Sequence, residues 1–247
     1  MQRYPYSVSV VFPAYNEEAN IEACVIVADA LLKEVVIDYE VIVVDDGSSD
    51  RTRELADALK ARFPKVRCIA HGRNLGYGAA LRTGFAATRF EYLFFSDSDR
   101  QFDILDITYL LAVANTVDIV VGYRRERRDP LIRRFAAWGY NQLVSVLFDV
   151  RVKDIDCAFK LFNRRVFDTI TVQSDRWFVN TEILAKARIV GHRISQVPVS
   201  HLHRRADASK VGFADVTRTL RELIRIRRQL VEFRTMVHGQ RTTAKIL

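Results

Sequence analysis

Tyr92-Leu93-Phe94-Phe95-Ser96-Asp97-Ser98-Asp99-Arg100-Gln101 decides how this chain is read. Its first four residues form an apolar run of strand length and composition, and two aspartates follow at once. In an extended segment the side chains at i and i+2 leave on the same side, so Asp97 and Asp99 can converge on one point. Two converging carboxylates repel one another unless a proton or a cation lies between them. Carboxylate oxygens joined by the Gln101 amide suit a hard divalent ion, Mg²⁺ or Mn²⁺, which keeps positions open for substrate phosphates. A buried strand ending in this pair predicts a metal that grips a diphosphate, although the same residues taken alone are also ordinary formers of a solvated turn.

Working outward, strand and helix patterns alternate. Short runs rich in Val, Ile, Tyr and Phe at 7–12, 39–44, 66–70, 92–95 and 117–122 read as strands. Helical patterns lie between them at 18–35, 50–63, 79–89 and 103–114; the second carries Leu55, Leu59 and Phe63 at i, i+4 and i+8 and stops before Pro64. Apolar strands joined by helical crossovers predict an α/β fold, a mainly parallel sheet covered on both faces. Such sheets bind ligands beyond the carboxyl ends of their strands.

Those ends are chemically coherent. The first strand runs into Pro13-Ala14-Tyr15-Asn16-Glu17 and the second into Asp45-Asp46-Gly47-Ser48-Ser49-Asp50. Proline, an aromatic ring and acidic groups can hold a base and a ribose, and Pro13, Tyr15, Glu17, Asp45 and Asp46 are the candidates; tight turns capped by Asn, Asp and Ser use the same residues. Gly76 and Gly78, in Asn74-Leu75-Gly76-Tyr77-Gly78, open a helix and permit close backbone approach to a phosphate or to another loop. They do not form the dinucleotide fingerprint, because they follow the third strand and Gly84 falls outside its spacing.

Composition narrows the class. The chain has 247 residues, 49% of them apolar, enough for one α/β domain with a sizeable core and too many for disorder. No apolar stretch approaches the roughly 18–20 residues of a membrane span, and the first residues enter a strand pattern without a signal-peptide core. These features predict a cytoplasmic protein. Cys24, Cys68 and Cys157 lack metal-ligand spacing and read as reduced thiols. The formal charge of +8 admits a nucleic-acid partner, but the basic residues gather in the second half, away from any base-reading motif, so no nucleic acid is expected.

Pro13-Ala14-Tyr15-Asn16-Glu17, Asp45-Asp46-Gly47-Ser48-Ser49-Asp50, Asn74-x-Gly76-x-Gly78 and Asp97-x-Asp99-x-Gln101, in this order and spacing, resemble the family-2 glycosyltransferases of the GT-A fold. The resemblance covers roughly residues 7–212. It is closest to the branch that transfers a sugar onto polyprenyl phosphate, typified by dolichyl-phosphate mannose synthase. It implies a nucleotide-sugar donor of the GDP-mannose or UDP-glucose type, a divalent ion on Asp97, Asp99 and Gln101, and inversion by a single displacement.

Gly122-Tyr123-Arg124, Arg133-Arg134, the segment 154–162, Thr181-Glu182-Ile183-Leu184, Val197-Pro198-Val199 and Arg205-x-x-x-Ser209-Lys210 extend that likeness. By it, Arg124, Arg134, Arg205, Ser209 and Lys210 would meet phosphates on the acceptor side. Two departures stand out: Ala208 occupies a position where the family usually has glycine, and Arg100 is bulkier than the family's residue inside Asp-x-Asp-x-Gln. A polyprenyl phosphate is already an anion near neutral pH and can attack without a strong base, whereas a sugar hydroxyl must lose a proton, for which Asp156 is the candidate base. A sugar nucleotidyltransferase is the enzymatic rival, but its Gly-rich phosphate loop is absent after the first strand.

A lipid acceptor requires contact with a membrane. The chain divides into a catalytic domain at 1–212 and a basic amphipathic helix with its tail at 213–247. Apolar residues at helical spacing among arginines in that helix fit either peripheral seating on an anionic cytoplasmic membrane face or packing on the domain. Leu131–Phe148 is a second amphipathic candidate.

Overall fold

In a computed structural model of the chain the described residues are 2–125, 131–202 and 213–243, with side chains described at all of these except 131–137, 213–222, 238 and 240–243. The order of elements is β1 (Tyr4–Ala14), α1 (Ile21–Val35), β2 (Val36–Asp45), α2 (Thr52–Arg62), β3 (Val66–Ala70), α3 (Tyr77–Ala86), β4 (Tyr92–Ser96), α4 (Ile107–Leu111), β5 (Ile119–Arg124), α5 (Leu131–Phe148), β6 (Phe159–Asn163), α6 (Val166–Thr169), α7 (Val179–Val190), β7 (Ile194–Val199) and α8 (Phe213–Thr243). The strands form one seven-stranded sheet in the order β3-β2-β1-β4-β6-β5-β7.

Neighbours β1, β2, β3 and β4 pair parallel, as the alternating pattern predicts. The departure is β6, which lies antiparallel between β4 and β5, with Phe95 opposite Lys160 on one side and Val121 opposite Lys160 on the other. An antiparallel strand starts where its parallel neighbours end. The turn that precedes Phe159 therefore reaches the ligand-binding edge. Strand β7 closes the sheet beside β5 alone, and an edge position tolerates Pro198, whose nitrogen offers no hydrogen.

Alternate strand residues feed two cores. Val8, Val10, Phe12, Val41, Val43 and Phe94 face one side, with α1, α2 and α4. Val11, Ile42, Val44, Leu93 and Phe95 face the other, with α3, α5 and α7. Leu223, Ile226 and Leu230 of α8 are buried in this second core, their i, i+3, i+7 spacing placing one stripe of the helix against the domain. Ile224, Val231 and Met236 are exposed.

Element limits differ from the sequence expectations where local chemistry intervenes. The helix expected at 103–114 begins as a 3₁₀ turn at Ile104–Asp106, with the Asp103 carboxylate accepting from Leu105 N, and reduces to the single turn of α4. Helix α3 starts earlier than expected, at Tyr77, because the Asp175 carbonyl accepts from Gly78 N at 2.8 Å and from Ala79 N at 3.3 Å, caps that no local spacing reveals. No helix among the described residues is long and apolar enough to cross a membrane.

Candidate active site

The ends of β1, β2 and β4 converge, and their loops are laced together. Asn16 takes a left-handed conformation at φ 56°, and its Oδ1 accepts from Ser49 N at 2.8 Å, while Asn16 N donates to Ser48 Oγ at 3.0 Å. Glu17 N donates to Thr52 Oγ1, and Glu18 N donates to Asp50. Ser98, buried between the two aspartates, donates from Oγ to the Pro13 carbonyl at 2.7 Å. That bond ties the Asp97–Asp99 turn to the end of β1. Arg100 sits at φ 58°, exposed to solvent, so the bulk that departs from the family pattern points out of the turn.

Asp97 and Asp99 are brought together as their spacing predicts. As a residue Asp97 is partly open to the cleft, but its Oδ1 is enclosed and has no hydrogen-bond partner. Burial and the neighbouring Asp99 charge push its carboxyl up to about 7, against smaller opposing pulls from Tyr77 and Lys160. Asp99 accepts from Gln101 N at 3.1 Å. An enclosed carboxylate oxygen without a donor, beside a second carboxylate, fits a divalent ion. Gln101 continues the same turn, and its carbonyl accepts from Leu202 N at 2.7 Å. The described residues contain no cluster of three or more acidic, His or Cys ligands, so a metal here would complete its shell with amide, solvent or substrate oxygens.

The donor-side candidates separate into two sets. Pro13 lies near the end of β1, Tyr15 and Glu17 on the loop that follows, with Tyr15 about half exposed, and Asp45 is buried at the end of β2. Asp46 has a structural duty: its two oxygens accept from Leu75 N at 2.9 Å and Gly76 N at 2.8 Å, and His71 Nδ1 lies 2.7 Å away. Gly76, at φ 104°, and Gly78 make their close approach to a neighbouring loop: a Cβ would fall 2.5 Å from the Asp175 carbonyl at the first and 2.3 Å from the Ser174 carbonyl at the second. That loop is in turn held by the buried Glu182, whose carboxylate accepts from Gln173 N and Ser174 N and from Lys186 at 2.6 Å.

On the acceptor side, Arg124 forms a two-pronged pair with Asp154, Nε to Oδ2 at 2.6 Å and Nη2 to Oδ1 at 2.9 Å. The guanidinium expected to meet phosphate thus braces the turn that carries Asp156. The Arg134 side chain and the whole of Arg205, Ser209 and Lys210 lie outside the described residues. The segment bearing those three leaves the described structure at Leu202, next to Gln101.

Three side chains in this region carry no separate signal in the sequence. Tyr77 is half-buried with its hydroxyl enclosed near Asp97, and its ring stacks on the exposed Trp177 at 5.9 Å. Asn180, on α7, accepts from Lys160 at 2.9 Å. Lys160 itself, fully buried on β6, also donates to the carbonyls of Ile155 and Cys157. Burial pushes its pKa down, while Asp156, Asp154 and Asp97 act the other way.

The ends of β1, β2 and β4 thus bring Asp97, Asp99 and Gln101 to one edge of the sheet. The model of glycosyl transferase family 2 matches residues 9–171, more than half the chain. The chain belongs to that family. Relatives within it include glycosyltransferase AglD of Haloferax volcanii, 34% identical over 202 residues, covering 78% of this chain and 32% of that one. Dolichyl-phosphate beta-glucosyltransferase ALG5A of Trichomonas vaginalis is 30% identical over 236 residues, 88% of this chain and 72% of that one. The chain spans about a third of the first relative's length and nearly three quarters of the second's. Glucosyl-3-phosphoglycerate synthase from Mycobacterium tuberculosis, solved with Mn²⁺, UDP and phosphoglyceric acid, superposes with a TM-score of 0.66 at 24% identity over 95% of this chain and 79% of that one. The sheet is thus the GT-A-like sheet of glycosyltransferases, and family-2 membership makes the chain a glycosyltransferase.

Proposed function

We propose that the chain moves a hexose from a nucleotide-sugar to polyprenyl phosphate with inversion, using Mg²⁺ or Mn²⁺ held by Asp97, Asp99 and Gln101. The observation that carries the reading is the enclosed, unpartnered Asp97 Oδ1 beside Asp99 at the sheet edge where family-2 donors bind. A UDP-sugar, glucose first, is the favoured donor: a relative of which this chain spans 72% is named a dolichyl-phosphate beta-glucosyltransferase, and the superposable synthase was solved with UDP. The names of the relatives thus favour glucose over the mannose of the GDP-mannose type.

The bound ion would supply positive charge against the leaving diphosphate. The chain's own residues do the rest. Pro13, Tyr15, Glu17 and Asp45 line the base and ribose; Ser98 and Asp46 hold the two loops rigid around them, which keeps the reacting groups in register. Arg134, Arg205, Ser209 and Lys210 offset the acceptor's charge, since two anions cannot otherwise approach for in-line attack. A second reading, transfer to a hydroxyl with Asp156 as base, draws support from the position of Asp156 on the turn next to Asp97 and Lys160.

Contact with the bilayer is peripheral in this proposal and lies on the cytoplasmic face. Exposed Trp138, Leu143 and Val146 on α5 and Ile224 and Val231 on α8 support it, with arginines on both helices. The deciding experiment offers labelled UDP-glucose and GDP-mannose with polyprenyl phosphate and Mn²⁺ or Mg²⁺, and asks which label enters the organic phase. Label from UDP-glucose in that phase is expected. Efficient transfer to a soluble sugar hydroxyl, with none to lipid phosphate, would overturn the acceptor class and favour Asp156 as base.

A further inference from the structure

Lys160 lies buried beneath the turn that carries Asp156. It stands on β6, between the strand that delivers Asp97 and the strand that delivers Arg124. Its Nζ has three acceptors, Ile155 O at 3.1 Å, Cys157 O and Asn180 Oδ1 at 2.9 Å, which match the three donors of an ammonium ion and exceed the two hydrogens of a neutral amine. The Phe95 ring lies 5.5 Å from the same nitrogen. A fixed, desolvated positive charge is thereby set among Asp97, Asp154 and Asp156, whose fields all reach it. In a low-dielectric interior such a charge acts more strongly than it would in water.

That charge has a consequence for the metal. The described residues offer a divalent ion two carboxylates at most, and one of them already feels a neighbouring cation. We propose that Lys160 is a positioning residue whose ammonium anchors the 154–157 turn and partly neutralises Asp97, so that the free protein binds its divalent ion weakly and takes it up together with the donor diphosphate. Asp97 and Asp99 would then hold the ion only once the donor diphosphate supplies further oxygens, and the acidic site would stay folded without it. This deepens the reading of Asp97 and Asp99 as metal ligands and rests on it.

The test measures Mn²⁺ binding rather than turnover, by the loss of the free-ion electron-spin-resonance signal, alone and with UDP, with a parallel series in GDP. Wild-type chain should bind Mn²⁺ at least about tenfold more tightly with its preferred nucleotide than without it. Lys160→Gln keeps hydrogen-bond donors but removes the charge, so Mn²⁺ alone should bind about tenfold more tightly and the gain from nucleotide should shrink. Lys160→Arg keeps the charge and should retain the wild-type pattern even if transfer slows. A role confined to holding the turn would make the two variants behave alike. That result would overturn the proposal, as would a wild type that binds Mn²⁺ equally well with and without nucleotide, whatever the variants do. No Mn²⁺ binding by wild type under any condition would sink the metal reading itself, a failure distinct from normal wild-type synergy left unchanged in Lys160→Gln.

Discussion

Asp97→Asn should stabilise the metal-free protein while destroying its use of metal. Burial and the Asp99 charge move the Asp97 carboxyl from 3.8 to about 7. That displacement corresponds to at most about 4 kcal/mol, and because the residue is partly open to the cleft we expect about 2–4 kcal/mol. The sign follows from which state binds the proton. Below pH about 4 the group is protonated in folded and unfolded chains alike and costs nothing; between about 4 and 7 the unfolded chain ionises first, so stability falls as pH rises; above about 7 the full cost is present. Urea denaturation in EDTA should therefore find D97N and wild type close together at pH 4 and the variant more stable at pH 8. Mn²⁺ with nucleotide should then raise the wild-type midpoint and leave that of the variant unmoved. Equal stabilities at pH 8, or a less stable variant, would refute the argument that burial and Asp99 outweigh Tyr77 and Lys160 at this carboxylate.

Other outcomes follow from the same geometry. Asp99→Asn should abolish transfer with little change in melting temperature, and EDTA should do the same to the native chain, both read by the organic-phase assay. The Glu40 carboxylate is buried and accepts from Ser9 Oγ, Arg89 N and Arg67 Nη1, so Glu40→Ala should cost about 1–3 kcal/mol in urea unfolding by leaving Ser9 Oγ and Arg89 N without their acceptor. Gly78→Ala forces a Cβ to within 2.3 Å of the Ser174 carbonyl, a backbone group that cannot swing aside, and should lower the midpoint of urea unfolding. Deleting residues 213–243 should expose the partners of Leu223, Ile226 and Leu230 and cost several kcal/mol, at about 1.5–3 kcal/mol per buried side chain. Cosedimentation of that truncation with anionic vesicles reports separately on the membrane: loss of a salt-sensitive fraction is expected if α8 contributes to seating.

What the sequence reveals and what it hides divide along physical lines. Asp97 and Asp99 are legible because an apolar strand and an i, i+2 spacing are local facts, and so are the first five strands. Strand β6 hides because Lys160 interrupts its apolar run with a charge, and a lysine reads as surface until its acceptors are known. The Arg124–Asp154 pair joins residues thirty positions apart, and no periodicity connects them. Gly76 and Gly78 announce a close approach, but only the fold shows that the approaching group is the loop at 174–175. The Asp46 carboxylate looks like a ligand group by composition and proves to organise the chain from His71 to Gly76.

The antiparallel setting of β6 has an evolutionary meaning. Chain that leaves the sheet after Arg124 re-enters it at Phe159 on the same edge, because β5 ends where β6 begins. The chain between Arg124 and Phe159 is therefore an insertion between two strands that are neighbours in the sheet. Such an insertion can be lengthened, shortened or exchanged while every strand keeps its partner and register. Variation can thus be confined to this one segment while β1, β2, β3 and β4 keep their parallel pairing.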